Sequence, residues 1–127
     1  MEAPRTIVSP ADALALFAGL AGERLEYLWG VCLGPDGSVL ALRSGSPGSE
    51  CSAPMSVAEL LRDAVACGAA ALIVAHNHPG GDPAPSLQDV RATRKLAEGA
   101  DALGIRLLDH IVVASGGWSS FRLLGLI

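Results

Sequence analysis

The sequence predicts an α/β (α+β) fold in which helices pack against one mixed β-sheet. Three observations predict it. Helix-like and strand-like apolar segments alternate in the order helix, strand, strand, helix, strand, helix, strand, strand. The turn signal Gly34-Pro35-Asp36-Gly37 joins the first two strands as a hairpin, so the sheet cannot be purely parallel. The chain has 127 residues, 50% hydrophobic and 17% charged, enough for one domain with a real core. No internal repeat, low-complexity tract or compositional break divides it, and residues 1–127 are expected to form a single domain.

Each element has a local reason. Ser9-Pro10 opens the first helix as N-cap and first helical residue, and Leu14, Phe17, Ala18 and Ala21 share a face as far as Gly22. Leu25 to Leu33 carries aromatic and β-branched residues and reads as a strand, with Ser38 to Arg43 returning beyond the turn. Ser44 to Ser52 contains Gly45, Pro47 and Gly48 and reads as a mobile loop. Ser56-Val57-Ala58-Glu59 is a capping box ahead of a helix with Leu60, Leu61, Ala64 and Val65, ended by Gly68. Ala70 to Ala75 suits a buried strand. Ser86-Leu87-Gln88-Asp89 opens a third helix that runs to about Leu103. Ile105 to Ala114 is a second buried strand, and Gly116-Gly117 turns into a last one near Trp118 to Phe121.

Composition narrows the function. Nine basic against 13 acidic residues give a net charge of −4, which disfavours non-specific nucleic-acid binding. Cys32, Cys51 and Cys67 are odd in number and include no Cys-x-x-Cys pair. That excludes a zinc ribbon, argues against a disulfide framework and points to a reducing, cytoplasmic setting. Residues 1–10 lack the apolar core of a signal peptide, and the apolar stretch 64–75 is far short of the ~20 residues that cross a bilayer.

The chemistry concentrates in residues 75–89. His76 and His78 stand at i and i+2 at the end of a predicted strand, where side chains two apart project to one side and can grip one ion. Asp89 lies in the first turn of the next helix, where the intervening loop can fold its carboxylate onto both rings. Two imidazoles and one carboxylate leave the fourth tetrahedral position open, as in catalytic rather than structural zinc sites. Taken separately, Ser86 and Asp89 read as an ordinary helix cap and His-x-His as a loop feature; the conjunction at this spacing points to metal.

His76-x-His78, then seven residues beginning with Pro79, then Ser86-x-x-Asp89, resembles the motif of the JAMM (MPN+, JAB domain) zinc metallopeptidases. The wording His76-Asn77-His78-Pro79, Gly81-Asp82, Pro85-Ser86 and Asp89, followed by Leu107-Leu108-Asp109-His110-Ile111, is similar to the RadC-like branch. The likeness runs from about Thr6 to Phe121. It implies a JAB/MPN-like mixed sheet with flanking helices and cytidine-deaminase-like layering. It also implies zinc held by His76, His78 and Asp89, and Ser86 as a hydrogen-bond donor to the oxyanion or the water. A glutamate upstream takes the proton of the attacking water. Counting back from Leu33 gives Glu26, with Glu23 the fallback because Glu23-Arg24-Leu25-Glu26 leaves the register uncertain by three.

The resemblance further implies a peptidase or isopeptidase acting on a peptide or protein, with some relatives cleaving bonds to ubiquitin-like proteins. Gly80 stands where a serine is usual, Gly34 where an aspartate often is, and Val57-Ala58 where Pro-Arg is common. The helix-hairpin-helix module that often precedes RadC-like domains is not expected in residues 1–127. Two other functions remain open. One is a DNA-repair accessory or nucleic-acid-associated module, which the charge disfavours; the other is a non-catalytic MPN-type scaffold, disfavoured because all three ligand types are present. A nucleoside deaminase would need His-x-Glu with a later Cys-x-x-Cys, and the chain has neither. His110, inside an apolar strand, is expected to form a satisfied buried polar pair with Asp109, with a supporting role behind the site or a substrate contact as alternatives. Cys51 has no identifiable base partner for nucleophilic chemistry.

Overall fold

A computed structural model of the chain describes residues 6–44 and 57–127. Its elements follow the expected order. Helix α1 (Pro10–Phe17) continues as a 3-10 turn over Ala18–Gly22 and leads to the hairpin β1 (Leu28–Leu33) and β2 (Val39–Ser44). Then come α2 (Val57–Ala66), β3 (Ala71–Asn77), α3 (Leu87–Ala102), β4 (Arg106–Ala114) and β5 (Gly117–Ser120). Apart from Ser44, which ends β2, the expected loop with Glu50 and Cys51 lies outside the described residues, as does Ser56 of the capping box.

The strands form one mixed sheet in the order β2-β1-β3-β4-β5. Only β3 and β4 run parallel, and α3 supplies the crossover that such a pair requires. β3 is the central strand and is buried at every position, which explains why its sequence is continuously apolar rather than alternating.

Side-chain alternation along the strands divides the core between two faces. Ile73, Ala75, Val31, Ile111 and Val113 pack against Ala13, Phe17 and Leu20 of the first helical segment. Leu72, Val74, Cys32 and Leu107 pack against Leu60 and Ala64 of α2 and Leu96 and Ala100 of α3. Helix, sheet and helix pair thus form three layers, the mixed α+β architecture expected from the sequence.

Two boundaries differ from expectation. The first helix is α-helical only to Phe17, because the two glycines of Ala18-Gly19-Leu20-Ala21-Gly22 weaken α-helix and the chain tightens into a 3-10 turn. β1 begins at Leu28 rather than Leu25, because the backbone just before it bonds a side chain instead of a neighbouring strand, as described below. Cys32 and Cys67 are free thiols. Burial, with a hydrogen bond to Cys67, pushes the Cys32 thiol up to about 12, so Cys32 acts as a packing residue. No described helix is long and apolar enough to cross a membrane.

Candidate metal centre

Three elements meet at the C-terminal end of β3. Along that strand Leu72 and Val74 face α2 and α3, and His76 is next in the series, its ring 5% exposed. β1 runs antiparallel to β3 with Leu28 opposite His76, so the residues just before Leu28 pass over the same end of the sheet. The first turn of α3 approaches from the helical layer and brings Asp89.

The resulting geometry is tight. His76 Nε2 lies 2.8 Å from His78 Nε2. Asp89 Oδ2 lies 3.1 Å from His78 Nε2 and 3.3 Å from His76 Nε2. Glu26 Oε1 stands 3.9 Å from His76 Nε2, and Glu26, His76 and His78 offer ligand atoms within 4.8 Å of one another. Glu23, the fallback, is exposed and outside this group. Glu26 itself precedes β1 rather than opening it.

This donor set fits a divalent cation. His78 Nδ1 lies 2.9 Å from the Asp82 carbonyl, an acceptor only, so this nitrogen carries the hydrogen and donates. In the neutral ring, Nε2 then presents a lone pair to an anionic carboxylate. Acceptors converging without a hydrogen between them repel unless a proton or a metal ion sits among them. A tetrahedral zinc with bonds of ~2.0–2.1 Å holds its ligand atoms ~3.3 Å apart, close to the spacing seen here.

The hydrogen bond to Asp89 raises the pKa of His78 above its ordinary value, against the opposing effect of burial. Burial pushes the Asp89 carboxyl up, but the adjoining His76 and His78 imidazoles and the Ser86 N–H together hold it far below the usual carboxylate range.

Asp89 is also one half of a capping box. The Ser86 N–H donates to Asp89 Oδ2 at 2.9 Å, and the Asp89 N–H donates to Ser86 Oγ at 3.0 Å. Capping uses a lone pair of Ser86 Oγ and leaves its hydrogen available. Ser86 is exposed and joined to the histidines through Asp89.

The loop from His78 to Pro85 is held against β4 and β5. The His78 N–H donates to the Val113 carbonyl at 3.0 Å and the Ser119 hydroxyl to the Pro83 carbonyl at 2.7 Å. Gly81 closes the turn that begins at His78 with φ +94°, a region that favours glycine. A Cβ at Gly116 would stand 2.5 Å from the Gly81 carbonyl oxygen, so that contact also requires glycine.

Asp109 and His110 do not pair through their side chains, contrary to the expectation; adjacent strand residues point to opposite faces. Asp109 accepts from Ser120 Oγ at 2.5 Å and from the His110 and Arg122 backbone N–H groups. His110 reaches the site instead. Its Nε2 lies 2.6 Å from His76 Nδ1, its Nδ1 lies 2.6 Å from Thr93 Oγ1, and Phe121 stacks on its ring at 4.5 Å. Complete burial pushes its pKa well below the ordinary histidine value.

Sequence reasoning missed Asn77 and Thr93. Asn77 is buried and points away from the metal group. Its Oδ1 accepts from the Tyr27 N–H at 2.7 Å, and its Nδ2 donates to the Leu25 carbonyl at 2.8 Å and the Glu23 carbonyl at 3.5 Å. These partners flank Glu26, so one amide between the two histidines fixes the backbone that carries the glutamate. An asparagine in an otherwise buried strand was the available signal, since such a group must find partners.

Comparison with known proteins finds relatives along most of the chain. Residues 7–126 match the family described as RadC-like JAB domain. A UPF0758 protein of Desulforudis audaxviator is 39% identical over 126 residues, which is 95% of this chain and 53% of that protein. One from Geobacter sulfurreducens is 40% identical over 105 residues, covering 83% of this chain and 46% of the other. One from Moorella thermoacetica is 37% identical over 124 residues, 93% and 52% respectively. The chain spans about half the length of these relatives.

Proposed function

The chain belongs to the RadC-like JAB domain family, and from that premise we propose that it is a zinc-dependent hydrolase of metallopeptidase or isopeptidase type. The observation that carries the proposal is the convergence of two imidazole nitrogens and a carboxylate oxygen within 3.3 Å of one another, with a second carboxylate 3.9 Å from one ring. His76, His78 and Asp89 would hold the ion. Glu26, with its Oε1 3.9 Å from His76 Nε2, would stand beside the ion within reach of a water there. Zinc supplies a Lewis acid that polarises a carbonyl and makes water more acidic.

The protein's own groups perform the remaining steps. Glu26 takes a proton from the attacking water, keeps it through the tetrahedral stage and returns it to the departing amine nitrogen. Its carboxylate is partly withdrawn from solvent beside the His76 ring, with 24% of the side chain exposed. The Ser86 hydroxyl, with its hydrogen left available by the cap, donates to the oxygen that becomes negative. The substrate is a peptide or protein amide, in the cytoplasm.

Turnover tests the reading. Zinc-loaded protein is assayed on peptide-bond and lysine-isopeptide substrates, with chelation and zinc re-addition as control. On a cleaved substrate, Glu26→Gln is expected to retain zinc and fold while losing ~100-fold or more in kcat, the worth of a positioned acid–base group. Glu23→Gln is expected to change little. Turnover that survives both substitutions would contradict the assignment of the base.

A further inference from the structure

Behind His76 lies a chain of hydrogen bonds between buried groups. Thr93 Oγ1 lies 2.6 Å from the Asp89 carbonyl oxygen and 2.6 Å from His110 Nδ1; His110 Nε2 lies 2.6 Å from His76 Nδ1. Thr93 and His110 are 0% exposed.

Each link has a single possible direction. A carbonyl oxygen only accepts, so the Thr93 hydroxyl hydrogen points to Asp89. That oxygen must then accept from His110, which places the His110 hydrogen on Nδ1. His110 is fully buried between the Thr93 hydroxyl, the His76 ring and the face of Phe121, with no carboxylate oxygen bonded to its ring nitrogens, and this burial keeps the ring neutral. Its Nε2 therefore carries a lone pair, and only His76 can fill the gap, by donating from Nδ1. The His76 hydrogen is thus held at the rear, and Nε2 faces His78, Asp89 and Glu26 with its lone pair free.

We propose that Thr93 and His110 are positioning residues that lock His76 in the Nδ1–H tautomer and so pre-set its Nε2 as a metal ligand. The role of the Nε2 lone pair rests on the zinc reading above; the tautomer itself does not. The relay starts at the carbonyl of Asp89, so one helix turn and one strand are tied to the same orientation of the ring. A supporting hydrogen bond behind a ligating histidine commonly governs metal affinity, and here the support comes from a neutral histidine and a hydroxyl rather than a carboxylate.

Two measurements test it on the full chain. The first is long-range proton–nitrogen NMR of the zinc-free wild type, which reads the tautomer of each histidine without metal or substrate. It is expected to show His76 and His110 both protonated on Nδ1; His76 protonated on Nε2 overturns the proposal. The second is zinc affinity by chelator competition. Thr93→Val removes the hydroxyl while keeping the side-chain shape, and is expected to weaken zinc binding ~10-fold or more. Thr93→Ser restores the hydroxyl and is expected to return affinity to near the wild-type value. Equal affinity for wild type and Thr93→Val overturns the proposal. If the wild type binds no zinc, the metal reading fails, while the tautomer still decides whether the relay exists.

Discussion

Asp89 shows how much one residue is asked to do. Its Oδ2 accepts the Ser86 N–H and closes on both imidazoles, while its carbonyl accepts from Thr93. Substitutions can separate these duties. Asp89→Ala is expected to abolish tight zinc binding and to cost ~0.5–1 kcal/mol from the lost charge at the start of α3. Ser86→Ala is expected to lose ~1 kcal/mol of capping and keep zinc. Metal titration and chemical denaturation of both variants check this. If Ser86→Ala leaves kcat unchanged on a cleaved substrate, Ser86 is a cap alone.

The same carboxylate sets a pH dependence. His78 has its pKa raised in the folded protein above 6.5, with the Asp89 hydrogen bond as the main cause. A raised folded value means that the unfolded chain loses this proton first as pH rises. The pair's contribution to the metal-free protein is therefore full between pH 3.8, the ordinary value of the Asp89 carboxyl, and pH 6.5, and disappears as pH climbs through the raised His78 value. Denaturation of the metal-free protein across that range is expected to show the decline, and Asp89→Asn to flatten it. The candidate ligand residues could be picked out in the sequence because their chemistry resides in the residues themselves. The work of Asn77 was not, because it is done on backbone groups 50 and 52 positions away in the chain.

Among the elements, the segment entering β1 is the informative case. Residue types suggested a strand from Leu25, yet the ladder starts at Leu28 because Asn77 occupies the hydrogen-bonding groups of Leu25 and Tyr27. Residue preference could not show this, since the competing partner is another strand's side chain. Asn77→Ala should leave a donor and an acceptor without their partner, at ~1–3 kcal/mol if they stay buried. It should also release the backbone around Glu26 while leaving His76, His78 and Asp89 in place. The expected result is a large fall in turnover with zinc retained. A fall in zinc affinity matching the fall in turnover would mean that Asn77 supports the ligands instead. By contrast, the start of α3 was readable from four consecutive residues, because a capping box is local chemistry.

Across the whole molecule, the sheet separates stability from the site. Alternation along β3 sends Ile73 and Ala75 to the α1 face and Leu72, Val74 and His76 to the α2–α3 face. Phe17 is fully buried on the first face, its ring 6.2 Å from that of Trp29. Phe17→Ala is expected to cost ~3–5 kcal/mol and to lower Tm while zinc affinity in the folded protein stays as in the wild type. Parallel losses in both would mean that the two faces are mechanically coupled. The layering itself was legible from the alternation of helical and strand segments. The meeting of Glu26 with the histidines depends on the antiparallel register of β1 against β3, which local sequence does not encode.

Whether this end of the sheet is a metal centre is decided by a zinc titration of the 127-residue chain. Metal-free protein titrated with zinc in competition with a chromophoric chelator should bind one equivalent per chain. His76→Ala, His78→Ala and Asp89→Ala should each lose that binding while Glu26→Gln keeps it. Folded wild-type protein that takes up no zinc, or zinc binding that survives loss of either histidine, would contradict the account.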